Sequence, residues 1–136
     1  MEENVIVVKS KAFALRIIRL YQNLQKEHEF TLSKQMLRSG TSVGANVKEA
    51  IRAYSRADFF SKMNIALKEA SETEYWLELL FESGYITNET AYKSIYHDCQ
   101  EIISILVSIT ACKYIKTLCE GSPFYHHKLI VAIFHT

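Results

Sequence analysis

Few side chains in this sequence could do chemistry, and Glu74 is the one whose position asks for an explanation. Phe60, Met63, Leu67, Ala70, Glu74, Leu77 and Phe81 recur at three- and four-residue steps, the repeat of one face of an α-helix. A carboxylate in that series must find donors or stay near water, because burying it unpaired is costly. Asn46, beside the core stripe of the preceding helical segment, is a candidate partner, and Ser71 and Arg38 are two more. Together Arg38, Asn46, Ser71 and Glu74 would form one of three things. They would be a small polar site with Glu74 as its acid or base, a hydrogen-bonded structural network, or a contact between subunits.

Other constellations fail on spacing. A di-iron site in a helical bundle needs Glu-x-x-His on each of two helices, and no Glu in the chain is followed three residues later by His. His97 stands next to Asp98 and Cys99, but residues one and two apart on a helix point in different directions, so no Cys-His nucleophile pair is built there. His126 and His127 read as surface residues. There is no phosphate-cradling loop, dinucleotide fingerprint or nucleophile elbow. The expectation is a protein that is not an enzyme and uses no cofactor.

Charge offers a second kind of function. From Lys9 to Lys68 there are twelve Lys/Arg against four Asp/Glu, and from Glu69 to Glu120 three against nine, although the whole chain carries only +1. One reading makes Lys11, Arg16, Arg19, Lys26, Lys34, Arg38, Lys48, Arg52 and Arg56 a basic surface for RNA or DNA. The other has the basic and acidic halves meet each other, within a protomer or between subunits.

The elements that must carry these residues are helices. One proline and four glycines are too few for the many turns of a sandwich or barrel, while 49% apolar residues suffice for one continuous core. Val5 to Val8 is β-branched and is expected to be a short extended arm. A first helix is expected from a cap at Ser10 to about Glu27, with Phe13, Ile17, Leu20 and Leu24 facing inward and Arg16, Arg19 and Lys26 outward. Thr31 should cap a second helix running to about Tyr54, and Ser55 with Asp58 a third, which Gly84 ends. So tight a turn makes helices two and three antiparallel neighbours. Thr87 should cap the fourth helix. That helix carries two apolar stripes, Ile95-Cys99-Ile102-Leu106-Ile109-Lys113 and Ile103-Val107-Thr110-Tyr114, one more than a single core requires. The surplus predicts burial against another protomer.

Within helix two, Val43 and Val47, with Ala50 or Ile51 and then Tyr54, continue a phase set by Leu32, Met36 and Ser39, straight through Gly40 and Gly44. Each glycine costs a helix interior roughly 1 kcal/mol against alanine. Either close approach of another backbone to this face of small residues offsets that loss, or the helix kinks or breaks at Ser39 to Ser42.

Three ordered blocks, S-G-T-S-V-G-A-N-V-K-E-A (Ser39 to Ala50), S-R-A-D-F-F-S-K (Ser55 to Lys62) and I-A-L-K-E-A-S-E-T-E-Y-W-L-E-L-L (Ile65 to Leu80), resemble the bacterial four helix bundle protein family. That family was first noticed as proteins encoded by intervening sequences in large-subunit ribosomal RNA genes. The resemblance runs from about Val5 to Leu118. It implies an antiparallel up-down-up-down four-helix protomer assembled as a ring-shaped homopentamer, and it brings no assigned activity. A related branch, the accessory variability determinant of diversity-generating retroelements, is a basic pentamer that binds nucleic acid and a reverse transcriptase; this chain departs from it in being nearly neutral.

The expected organisation is therefore one bundle domain over residues 1–120 and a tail over 121–136. Its run Leu129 to Phe134 would pack on a neighbour, add a strand to something or stay disordered. No apolar stretch approaches a bilayer span, and Cys99, Cys112 and Cys119 form no C-x-x-C pair, so a soluble cytoplasmic protein with reduced thiols is expected. Its leading role is a homo-oligomeric binding or scaffold module.

Overall fold

Asn4, rather than Ser10, starts the first helix. In a computed structural model that describes residues 4–119, the Asn4 side chain accepts a hydrogen bond from the Ile6 amide, and α1 runs Val5–Lys26. Val5 to Val8 is thus helical and not an extended arm. β-Branched residues give up only a few tenths of a kcal/mol in a helix, whereas burying Ile6 contributes about 1.5–3 kcal/mol. Ser10 is buried inside the helix and donates to the Val7 carbonyl. Phe13, Ile17 and Leu24 are in the core as the stripe predicts, and Leu20 packs at its edge.

His28 closes α1 with a φ of 59°, the left-handed conformation usually given to glycine. The Glu29 amide reaches back to Leu24 O at 3.0 Å and the His28 amide to Gln25 O at 3.1 Å. This turn aims Glu29 at the next helix.

The second helix, α2, spans Leu32–Ile51 and is unbroken through both glycines. Its hydroxyl cluster is turned inward on its own backbone: Ser39 donates to Met36 O, Thr41 to Leu37 O and Ser42 to Arg38 O. Side chains that would otherwise favour a loop are therefore spent inside the helix. Gly40 explains the close approach, since a Cβ there would lie 2.9 Å from Ile17 Cγ2. The helix ends three residues before Tyr54, which is 92% exposed and not part of the core. Ala50 and not Ile51 continues the buried face.

Ser55 caps α3 (Arg56–Glu82) by accepting from the Asp58 amide at 3.1 Å. Gly84, at φ 89°, ends it as expected, with the Tyr85 amide bonded to Leu80 O. The buried face is Phe60, Met63, Ala66, Ala70, Thr73, Leu77 and Leu80, so three of the seven predicted positions move one residue earlier. Ala66, Thr73 and Leu80 take the places expected for Leu67, Glu74 and Phe81. The fourth helix, α4 (Glu89–Cys119), is capped by Asn88, whose side chain accepts from the Ala91 amide, and not by Thr87.

Four helices and no strand make up the described residues. Each helix packs on its predecessor, and α1 also meets α4. The core is formed by Ile17, Met36, Val43, Val47, Met63, Leu77, Leu80 and Leu106, all essentially inaccessible to water. On α4, Ile95, Cys99, Ile102 and Leu106 face this core, while Val107 of the second stripe is 48% exposed. The Lys113 and Tyr114 side chains and the tail expected over 121–136 lie outside the described residues.

Candidate functional site

The four residues grouped around Glu74 are not brought together, because the phase of α3 turns Glu74 away from α2. Asn46 donates to Ser42 O and Ser71 to Leu67 O, each within its own helix. Arg38 pairs with Glu69 at 3.3 Å and with Glu72, whose other oxygen accepts from Trp76 Nε1. These bonds hold the Glu72 carboxyl below its ordinary range, the Arg38 hydrogen bond contributing most. Glu74 is half-buried on the α4 side, where burial and then Glu78 push its carboxyl up.

The polar link in the core is instead Ser39 with Thr73. At the start of α2, Glu29 performs the capping expected of Thr31, whose side chain makes no cap bond. Its carboxylate accepts from the amides of Thr31, Leu32 and Ser33 at 3.1, 2.8 and 2.6 Å. Burial pushes this carboxyl up, but the Leu32 and Ser33 amides with the other donors outweigh it and hold it below the ordinary value. The signal in the sequence was Glu29 four residues before Ser33, readable only once His28 turns the chain.

The nine residues of the predicted basic surface divide. Arg16 pairs with Asp98 at 2.5 Å and also contacts Ser94, Arg38 is engaged as above, and Arg56 lies over the Phe60 ring at 5.5 Å. Lys9, outside the predicted set, pairs with Glu101. Part of the basic half is therefore used on the acidic half of the same chain. Arg19 lines a small recess between α1 and α4. Lys26 and Lys34 are exposed at the α1–α2 connection.

Lys11, Lys48 and Arg52 do come together. They rim a groove of about 710 Å³ between the first half of α1 and the second half of α2. Its apolar walls include Val8, Leu15 and Ile51, which are 44%, 48% and 50% exposed. The four-and-three step Val8, Ala12, Leu15, on the side of α1 away from the core stripe, is the pattern that could have revealed it.

A second surface lies where α3 meets α4. Glu74, Glu78 and Glu82 follow one another at four-residue steps. Tyr96 donates to Glu78 at 2.7 Å, and Tyr92 is stacked on Phe81 with ring centroids 4.1 Å apart. Among the described residues no cation pairs with any of these three carboxylates. Cys99 is buried against the Ala70 carbonyl, and burial, then Glu74 and Asp98, push its thiol up to about 12.

The described residues are all-α, four helices whose distinctive surfaces are a basic-rimmed apolar groove and a carboxylate-aromatic ridge. The chain belongs to the 23S rRNA-intervening sequence protein family, whose model matches residues 2–108. It is similar, at 56% identity and a TM-score of 0.76, to a protein with unknown function from the S23 ribosomal protein family of Bacteroides thetaiotaomicron VPI-5482. That similarity covers 78% of this chain and 98% of the other. No curated protein matches the chain.

Proposed function

We propose that this protein is a non-enzymatic, cytoplasmic scaffold or binding module that works as a homo-oligomer of antiparallel four-helix bundles, with the ring-shaped pentamer as its assembly. The up-and-down course is supported by contacts whose numbers rise on one helix as they fall on the helix packed against it, α1 with α4 and α2 with α3. Lys9 meets Glu101 and Arg16 meets Asp98; Arg38 meets Glu72 and Glu49 meets Lys62. The observation that carries the oligomer is apolar surface left outside a protomer with a filled core, chiefly Val8, Leu15 and Ile51 in one groove. Mass measured by light scattering across micromolar concentrations tests it. A multiple of 15.7 kDa, five copies for the pentamer, is expected; a monomer throughout overturns it.

A second reading, a nucleic-acid accessory protein, is favoured by the convergence of Lys11, Lys48 and Arg52 without carboxylate partners among the described residues. Retention of RNA or DNA should then fall steeply with salt, each phosphate contact adding about 0.9 to the slope for duplex DNA. A flat response rejects it.

A further inference from the structure

We propose that the groove between α1 and α2 receives the carboxylate-aromatic ridge of another copy of this chain, so that Lys11, Lys48 and Arg52 face Glu74, Glu78 and Glu82 across the contact. The proposal rests on the oligomeric reading and names the two surfaces that make the oligomer.

Three observations lead to it. First, the cations on the groove are uncommitted. Lys9, Arg16, Arg38, Lys62 and Lys93 each have a carboxylate within their own protomer; Lys11, Lys48 and Arg52 have none among the described residues, a state they share with Arg19, Lys26, Lys34, Arg56 and Lys68, but these three are gathered on one apolar recess. Second, the acids divide too. Glu49, Glu69, Glu72, Glu89, Asp98 and Glu101 are paired; Glu27, Asp58, Glu74, Glu78 and Glu82 have no paired cation among the described residues, and the last three form a column of like charges at four-residue steps, a spacing that is unfavourable on a helix until a cation arrives. Third, the two sets cannot satisfy each other within one copy. α1 packs mainly on α2 and α4, and α3 on the same two, which puts the α1–α2 and α3–α4 seams on opposite sides of the four-helix cross-section.

The surfaces also match in character. The groove offers aliphatic walls between cationic rims, and the ridge offers the stacked Phe81 and Tyr92 beside carboxylates. Phe81 and Tyr92 are half-buried on their own core, so it is their remaining exposed faces that would lie against the apolar walls, with charge pairs at the margin, the usual division of labour in a protein interface. Because groove and ridge are different surfaces, the contact is heterologous. Each copy keeps one unused half after pairing, so repetition leads past a dimer to a ring or an open array.

Charge exchange tests this on the full chain. Lys48→Glu with Arg52→Glu should weaken assembly at least about tenfold in the concentration at which the oligomer dissociates, and Glu78→Lys with Glu82→Lys should do the same. The chain carrying all four changes should assemble again, because complementarity returns with its sign reversed. Helical circular dichroism of each variant confirms that it folds. An oligomer indifferent to the groove pair, or to the ridge pair, overturns the proposal while leaving the oligomeric reading intact. So does failure of the fourfold variant to recover, or a groove pair that abolishes RNA retention and leaves assembly untouched. A wild-type chain that is monomeric would instead remove the oligomeric reading itself.

Discussion

The Thr73 hydroxyl lies 2.8 Å from the Ser39 hydroxyl, joining α3 to α2 at a point neither side chain shares with water. Each hydroxyl also has a carbonyl of its own helix within reach, Glu69 O for Thr73 and Met36 O for Ser39. Thr73→Val keeps the shape but takes away the link, and should cost about 1–2 kcal/mol by leaving Ser39 poorly satisfied. Ser39→Ala should cost a similar amount. The double variant should fall short of the sum, since either single change already breaks the bond the two hydroxyls share. Urea unfolding of the four chains measures this; full additivity would show that the two hydroxyls do not act together.

The two glycines of α2 should respond in opposite ways. At Gly40 an added methyl meets Ile17, which is β-branched, stiff and fully buried, at 2.9–3.0 Å from its two γ carbons. Gly40→Ala should therefore destabilise by about 1–3 kcal/mol despite its better helix propensity. At Gly44 the nearest atom would be Ser10 O at 3.4 Å, ordinary contact distance. Gly44→Ala should be stabilising by roughly 0.4–1 kcal/mol through a less flexible unfolded chain. Thermal unfolding of the pair distinguishes a close-packed crossing at Gly40 from a general demand for small residues.

Glu29 makes stability depend on acid. Its carboxyl is held below the ordinary value in the folded state, so the ion favours folding above the unfolded pKa of about 4.3. That contribution disappears as pH falls through the lower folded value. Glu29→Gln should lose about 0.5–2 kcal/mol at pH 7, as other helix-cap removals do, and the difference from wild type should shrink toward pH 3. Thr31→Ala, at a position whose side chain makes no cap bond, should stay within about 0.5 kcal/mol. A Thr31 variant as damaging as the Glu29 variant would reverse this assignment.

Helix count, the Ser55 cap and the Gly84 stop were legible in the sequence because each depends on residues within one or two turns. What was not legible depended on tertiary choice. A three-and-four step fits both Thr73 and Glu74, and only packing against Ser39 selects the first. Val5 to Val8 looked extended by propensity, and Ile6 is helical because the core has a place for it. The groove was half visible. Charge alone points to its cations, but charge does not separate Lys48 and Arg52, which have no carboxylate partner among the described residues, from Arg16 and Arg38, spent on Asp98, Glu69 and Glu72.

The thiols give the last prediction. Cys99 is buried with its sulfur on the Ala70 carbonyl and its pKa pushed up to about 12, whereas Cys112 is half-buried. At pH 8 the thiolate of Cys99 would be about one part in ten thousand of the total, and no path from solvent reaches it without opening the helix packing. Iodoacetamide added to the folded protein should therefore modify Cys112 and leave Cys99 unmodified until denaturant is added. Peptide mass spectrometry over time reads both sites. Rapid alkylation of Cys99 under native conditions would mean that α4 separates readily from α3, and with it that the ridge formed by Glu78, Tyr92 and Tyr96 is not a fixed surface.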